Sequence, residues 1–109
     1  MISKMETYLG FCIRSGKMIF GVDNIEKQRK GVKLLIVDGE LGQNSLNTML
    51  KLQGRFACPM LMTDNGVLSK RLHRLGVKAV AITEEHLASA VLSAVDSEPQ
   101  FKIYSGGNN

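Results

Sequence analysis

The chain reads as an α/β protein, a three-layer α/β/α sandwich, and three observations predict it. Segments of helical periodicity alternate with short apolar runs of strand length. The longest runs are rich in branched residues, as strands buried on both faces are. Glycines and capping residues punctuate the segments, and no segment recurs at a fixed period, which excludes a solenoid. Crossover helices in this order must cover both faces of a buried sheet.

The elements follow in chain order. Ser3-Lys4-Met5-Glu6 has the form of a capping box, in which a hydroxyl and a carboxylate satisfy free amides at a helix start. Met5, Tyr8, Leu9, Cys12 and Ile13 recur at helical spacing, and Gly16 ends this first helix. Met18 to Phe20 makes a brief strand, and Asp23 with Glu26 repeats the capping logic for a short helix ending near Gly31. Val32 to Val37 predicts a central strand. After a loop from Asp38 to Asn44, a helix runs through Ser45, Leu46, Met49, Leu50 and Leu52 to Gly54. Cys58 to Met62 is the next strand, with Pro59 at an edge or a strand end. Thr63-Asp64-Asn65-Gly66 is a cap and turn, after which Val67, Leu68, Arg71, Leu72 and Leu75 mark an amphipathic helix closed by Gly76. Val77 to Ile82 is the last long strand, and Thr83 caps a helix over Glu84 to Val95. Residues 1–98 thus form a single domain. In the tail, 99–109, Phe101, Ile103 and Tyr104 alternate as a short edge strand would, before an end of glycine and asparagine that frays.

At 109 residues the chain is large enough for a core that needs no staple. Cys12 and Cys58 lie in apolar surroundings at a spacing of neither zinc-knuckle nor redox type, so both read as reduced core thiols of a cytoplasmic protein. Lys4, Glu6 and Arg14 interrupt the stretch that a secretory signal would need, and no segment approaches the roughly 20 apolar residues of a membrane span. No membrane partner is expected.

The formal charge is +4, and its distribution says more than its size. Arg14, Lys17, Lys27, Arg29, Lys30 and Lys33 fall in the first third, Lys70, Arg71, Arg74 and Lys78 flank a later turn, and Glu84, Glu85, Asp96 and Glu98 dominate the end. One basic flank is therefore available for phosphates.

Catalytic chemistry finds no support in the sequence. The interval from Gly10 to Gly16-Lys17 is one residue too long for a phosphate loop, Met18 replaces its hydroxyl, and no strand precedes it. His73 and His86 have no partners at metal-ligand spacing, and Glu84-Glu85 is explained by the dipole of a helix start. Ser15 and Ser69 lack a nucleophile elbow and a base. We therefore expect a protein that is not an enzyme, with no cofactor and no metal. With no Trp, two Tyr and four Phe, a platform for stacking single-stranded bases is poorly supplied, whereas recognition of a folded RNA by shape and phosphate contact is readily built.

Leu9-Gly10, then Arg14-Ser15-Gly16-Lys17, then Gly21 resembles the opening of the superfamily of ribosomal protein L-seven-Ae and its bacterial YlxQ-like relatives, which bind kinked RNA helices. The similarity runs on through Leu34 to Val37, Val80-Ala81-Ile82-Thr83 and Leu87-Ala88-Ser89-Ala90, and its first segment is the specific one. It implies a mixed, mainly four-stranded sheet inside the sandwich, and a structured RNA, a kink-turn or ribosomal RNA, as partner. The family grips its RNA with a Gly-x-Asn-Glu-x-x-Lys signature at a helix start and with an apolar loop ahead of the last strand. Aligned on Gly21, the signature's Asn falls on Asp23, its Glu on Asn24 and its Lys on Lys27. The resemblance and the basic edge together nominate Lys17, Gly21, Val22, Asp23, Asn24, Lys27 and Lys30, joined by Val77 and Lys78 from the loop. Asp23 removes two donors where the signature has an amide. The alternative is a protein-interaction or dimerisation module on the same fold, with Val22 and Ile25 beside Asp23 as its surface.

Overall fold

The computed structural model describes residues 3–104, so the expected fraying of the last residues falls outside the described part. Helices are α1 (Lys4–Arg14), α2 (Val22–Glu26), α3 (Gln43–Phe56), α4 (Val67–Leu72) and α5 (Glu85–Ala94), with a 3-10 turn at Val95–Ser97. Strands are β1 (Met18–Phe20), β2 (Leu34–Asp38), β3 (Met60–Thr63), β4 (Ala79–Ile82) and β5 (Phe101–Ile103). They form one mixed sheet in the order β1-β4-β2-β3-β5, with β2 at its centre. Only β2 and β3 are parallel; the other three pairings are antiparallel. Among the described residues the sheet thus has five strands, because the alternation at Phe101 and Ile103 does add an edge strand beside β3.

Pleat alternation divides the core into the two interfaces of a sandwich. Leu34, Ile36, Leu61, Val80 and Ile82 face the layer of α1, α4 and α5, where Met5, Leu9, Cys12, Leu68 and Val91 meet them. Leu35, Val37, Met60, Ala79 and Ala81 face α2 and α3, where Ile25, Met49 and Leu52 meet them. All five residues of β2 are buried, as an apolar run between two helical layers requires.

Local chemistry sets the element ends, and several differ from the sequence expectation. Ser3 supplies the hydroxyl half of the expected capping box, accepting the Glu6 amide at 3.1 Å, while the Glu6 carboxylate pairs with Arg71 at 3.5 Å. By contrast, α2 starts at Gly21 with no side-chain cap and stops at Glu26, so no Asp23–Glu26 capping box forms. Helix α3 passes through Gly54 and ends at Ala57, which takes a left-handed φ of 51° before the chain turns extended ahead of Pro59. Helix α4 ends at Leu72 rather than near Gly76, because His73 adopts a left-handed φ of 57°. At α5 the cap is Glu84, whose carboxylate accepts the amides of Leu87 and His86; Thr83 instead donates its amide and hydroxyl to the Lys17 carbonyl.

The start of α4 is capped from another strand. Asp38, at the end of β2 and 1% exposed, accepts the amides of Gly66 at 2.9 Å and Leu68 at 3.0 Å, the amide of Glu40 at 2.8 Å and the Thr63 hydroxyl at 3.2 Å. Burial alone would raise its pKa, but the Gly66, Glu40 and Leu68 amides and the Thr63 hydroxyl prevail and hold it below the ordinary value. The β3–α4 turn lies so close that a Cβ on Gly39 would come within 2.4 Å of Asn65 Oδ1 and 2.8 Å of the Thr63 carbonyl oxygen. Only glycine fits there.

Candidate nucleic-acid interface

Two chain segments about fifty residues apart in sequence meet at one corner of the sheet. Antiparallel pairing sets Phe20 of β1 opposite Val80 of β4, so the chain leaving β1 at Gly21 lies beside the chain entering β4. The Gly21 amide donates to the Ala79 carbonyl at 2.9 Å, which holds the two segments together. Gly21 adopts φ 91° and ψ 144°, a conformation essentially restricted to glycine, and nothing lies within 4 Å of where its Cβ would be. The strained turn therefore leaves open space in front of its backbone.

Around this corner stand the start of α2 and the 73–78 loop. Asp23 and Asn24 are exposed and Val22 is half-buried against the α2/α3 side of the core. Asn24 Nδ2 donates to the Phe20 carbonyl at 2.9 Å, which fixes the side chain and leaves its Oδ1 as an acceptor. Val77 packs on the opposite core and Lys78 is exposed. Arg74 stacks its guanidinium 4.5 Å from the centre of the Phe20 ring, tying the loop to β1.

Leu75 is the residue that sequence reasoning misplaced. Its spacing from Leu68 and Leu72 predicts the buried face of a helix, yet α4 ends before it and Leu75 stands 101% exposed at the loop tip. The neighbouring Gly76, at φ 81°, was the available signal for a turn.

The nominated cations do not all gather at this corner. Lys27 and Lys30, both exposed, lie at and beyond the end of α2. Lys17 sits at the opposite end of β1, its carbonyl bonded to Thr83 at 2.9 Å. Four residues of extended chain separate it from Gly21, about 13 Å. Lys33, whose amide donates to the Ile82 carbonyl, belongs with Lys17.

Elsewhere the chemistry is quiet. Burial pushes the thiol of Cys12 up to about 11, with Glu84 adding to it, and burial raises Cys58 likewise to about 11, so both are protonated core thiols. The Leu87 and His86 amides, with the His86 side chain, hold the half-buried Glu84 down to about 2. Among the described residues no group of three or more His, Cys, Asp or Glu could hold a metal ion, and no helix is long and apolar enough to cross a membrane. A cavity of about 540 Å³ beside β5, lined by Met62, Asp64, Asn65, Lys102 and Tyr104 among others, includes none of the nominated residues.

No family model matches the chain, and no curated protein matches it. Among solved structures, it is similar to a protein of unknown function from Bacillus halodurans C, with a TM-score of 0.70 and 16% identity over 86% of this chain and 98% of that one. At this identity the likeness shows the fold alone.

Proposed function

We propose that the chain is a non-enzymatic RNA-binding protein of the cytoplasm that grips a structured RNA, a kink-turn or a related ribosomal element, at the β1–α2 corner. The reading joins the resemblance to the ribosomal protein L-seven-Ae superfamily with one observation, the fully exposed Leu75 at the tip of the loop beside Gly21. A large apolar side chain kept in water beside Arg74 and Lys78 suits a base splayed out of a kinked helix, with the cations taking phosphates. Open space at Gly21 lets a sugar-phosphate backbone approach. Asn24 Oδ1 and the Asp23 carboxylate accept from base amino groups rather than donate, which favours the amino-bearing edges of guanine, cytosine or adenine over phosphates at these two positions. Free thiols at Cys12 and Cys58 fit a reducing compartment.

A second reading is a protein-interaction or dimerisation module on the same fold; Ile25, expected on its surface beside Asp23, is buried in the core, which leaves the exposed Leu75 as its apolar contact. A titration of the protein against a labelled kink-turn RNA and an unkinked duplex of equal length, at two salt concentrations, separates the two. RNA binding requires selectivity for the kinked RNA, weakening with salt, and loss of affinity in Lys27→Ala. Equal weak binding to both RNAs, untouched by Lys27→Ala, would sink it and leave the interaction module.

A further inference from the structure

A second concentration of positive charge lies past the end of α2. An open basin of about 500 Å³ is lined there by Glu26, Lys27, Gln28, Arg29 and Arg55. Arg55 arrives from the last turn of α3, and its Nη1 donates to the carbonyls of Glu26 at 3.0 Å and Gln28 at 3.1 Å. The Glu26 carbonyl is one that the end of a helix leaves without an intrahelical partner, and Gln28 lies just past the cap. One nitrogen thus pins the loop, while Nε and Nη2 make no hydrogen bond to protein among the described residues. An anchored guanidinium loses little entropy on binding, and its remaining donors match two phosphate oxygens.

Position makes the basin relevant to the corner described above. Five residues of α2 rise about 7.5 Å from its start, comparable to the distance between neighbouring phosphates on one strand. Lys27, at the end of α2, borders the basin, so one short helix joins the basin to the corner at Gly21. Three cations outnumber the Glu26 carboxylate, which opposes an anion there.

Resting on the RNA-binding reading, we infer that this basin is a phosphate subsite, with Arg29 and Arg55 as its ligands, that carries the RNA backbone from the start of α2 past its end. The test is the salt dependence of binding between the full chain and a labelled kink-turn RNA for wild type, Arg29→Ala, Arg55→Ala, Arg55→Lys and Glu26→Gln, with Leu75→Ala as reference. Arg29→Ala lowers the slope of log K against log salt by about 0.9, one phosphate contact, with its melting temperature unchanged. Arg55→Lys recovers part of the slope lost in Arg55→Ala, since charge returns without the fork, and Glu26→Gln tightens binding. An unchanged slope in Arg29→Ala and Arg55→Ala, while Leu75→Ala still weakens binding, would overturn the subsite and spare the RNA-binding reading. Failure of the wild type to bind the RNA at low salt would overturn both.

Discussion

Asp38 and Leu75 are each on the wrong side of the protein surface by ordinary preference: one is a carboxylate sealed inside, the other a leucine held entirely in water. Partners distinguish them. Asp38 accepts three amides and a hydroxyl, all from its own chain, and so joins the end of β2 to the turn that starts α4. Among the described residues Leu75 packs on nothing, though its loop is fixed by the Gly21–Ala79 hydrogen bond and by Arg74 on Phe20. A misplaced group whose demands the fold meets is scaffold, whereas one presented rigidly and left unmet is available to a ligand.

The contrast is broken most severely at Asp38. Asp38→Ala strands the Glu40, Gly66 and Leu68 amides and should cost about 3–5 kcal/mol in urea unfolding, with RNA affinity per folded molecule unchanged. Its pH signature has a definite sign. Because the folded carboxyl is held below its ordinary value, its stabilisation is complete above the unfolded pKa near 4 and is lost as pH falls through the lower folded value. Asp38→Asn should therefore flatten the acid limb of the stability profile as well as lower its plateau.

Gly21 tests the other region where fold and ligand demands coincide. Gly21→Ala forces a side chain into φ 91° and should cost about 1–3 kcal/mol of stability by strain alone, since no atom opposes the Cβ, and it should also weaken RNA binding. Leu75→Ala separates the two demands. It should change unfolding by less than about 0.5 kcal/mol yet remove about 1 kcal/mol of RNA binding, roughly fivefold, in the same titration. A loss of stability in Leu75→Ala would show that the residue packs after all. The smallest effect belongs to Lys17→Ala, which lies about 13 Å along β1 from the corner. Its salt slope should stay near that of wild type while Lys27→Ala lowers it by about 0.9.

Legibility followed the range of the interactions. The Ser3 cap was readable because the hydroxyl and the amide it accepts are three residues apart. The cap of α4 was not, since Asp38 reaches amides 28 and 30 residues downstream and reads locally as an ordinary loop residue. Thr83 was read as a cap by the same local rule, yet the Lys17 carbonyl, 66 residues away in sequence, engages its hydroxyl while Glu84 caps the helix. Of the proposed interface, Gly21, Asp23, Asn24, Lys27 and Lys78 were nominated by the resemblance and the basic edge. Arg55 in the basin was hidden, because it comes from a helix that neither singles out.

The sequence by itself determined the order and kind of the elements, the central place of β2, and the division of core residues between two faces. Periodicity of 3.6 and of 2 is written along the chain, and burial obeys it. Only the tertiary structure decided which separated segments share a corner. The antiparallel register of β1 on β4 sets Gly21 beside Ala79 and brings the 73–78 loop to the start of α2. It also decided the fate of Leu75, for once His73 turned left-handed the helical pattern no longer applied and the leucine was carried out into water. Strand register and the end of a helix depend on contacts that no local window contains.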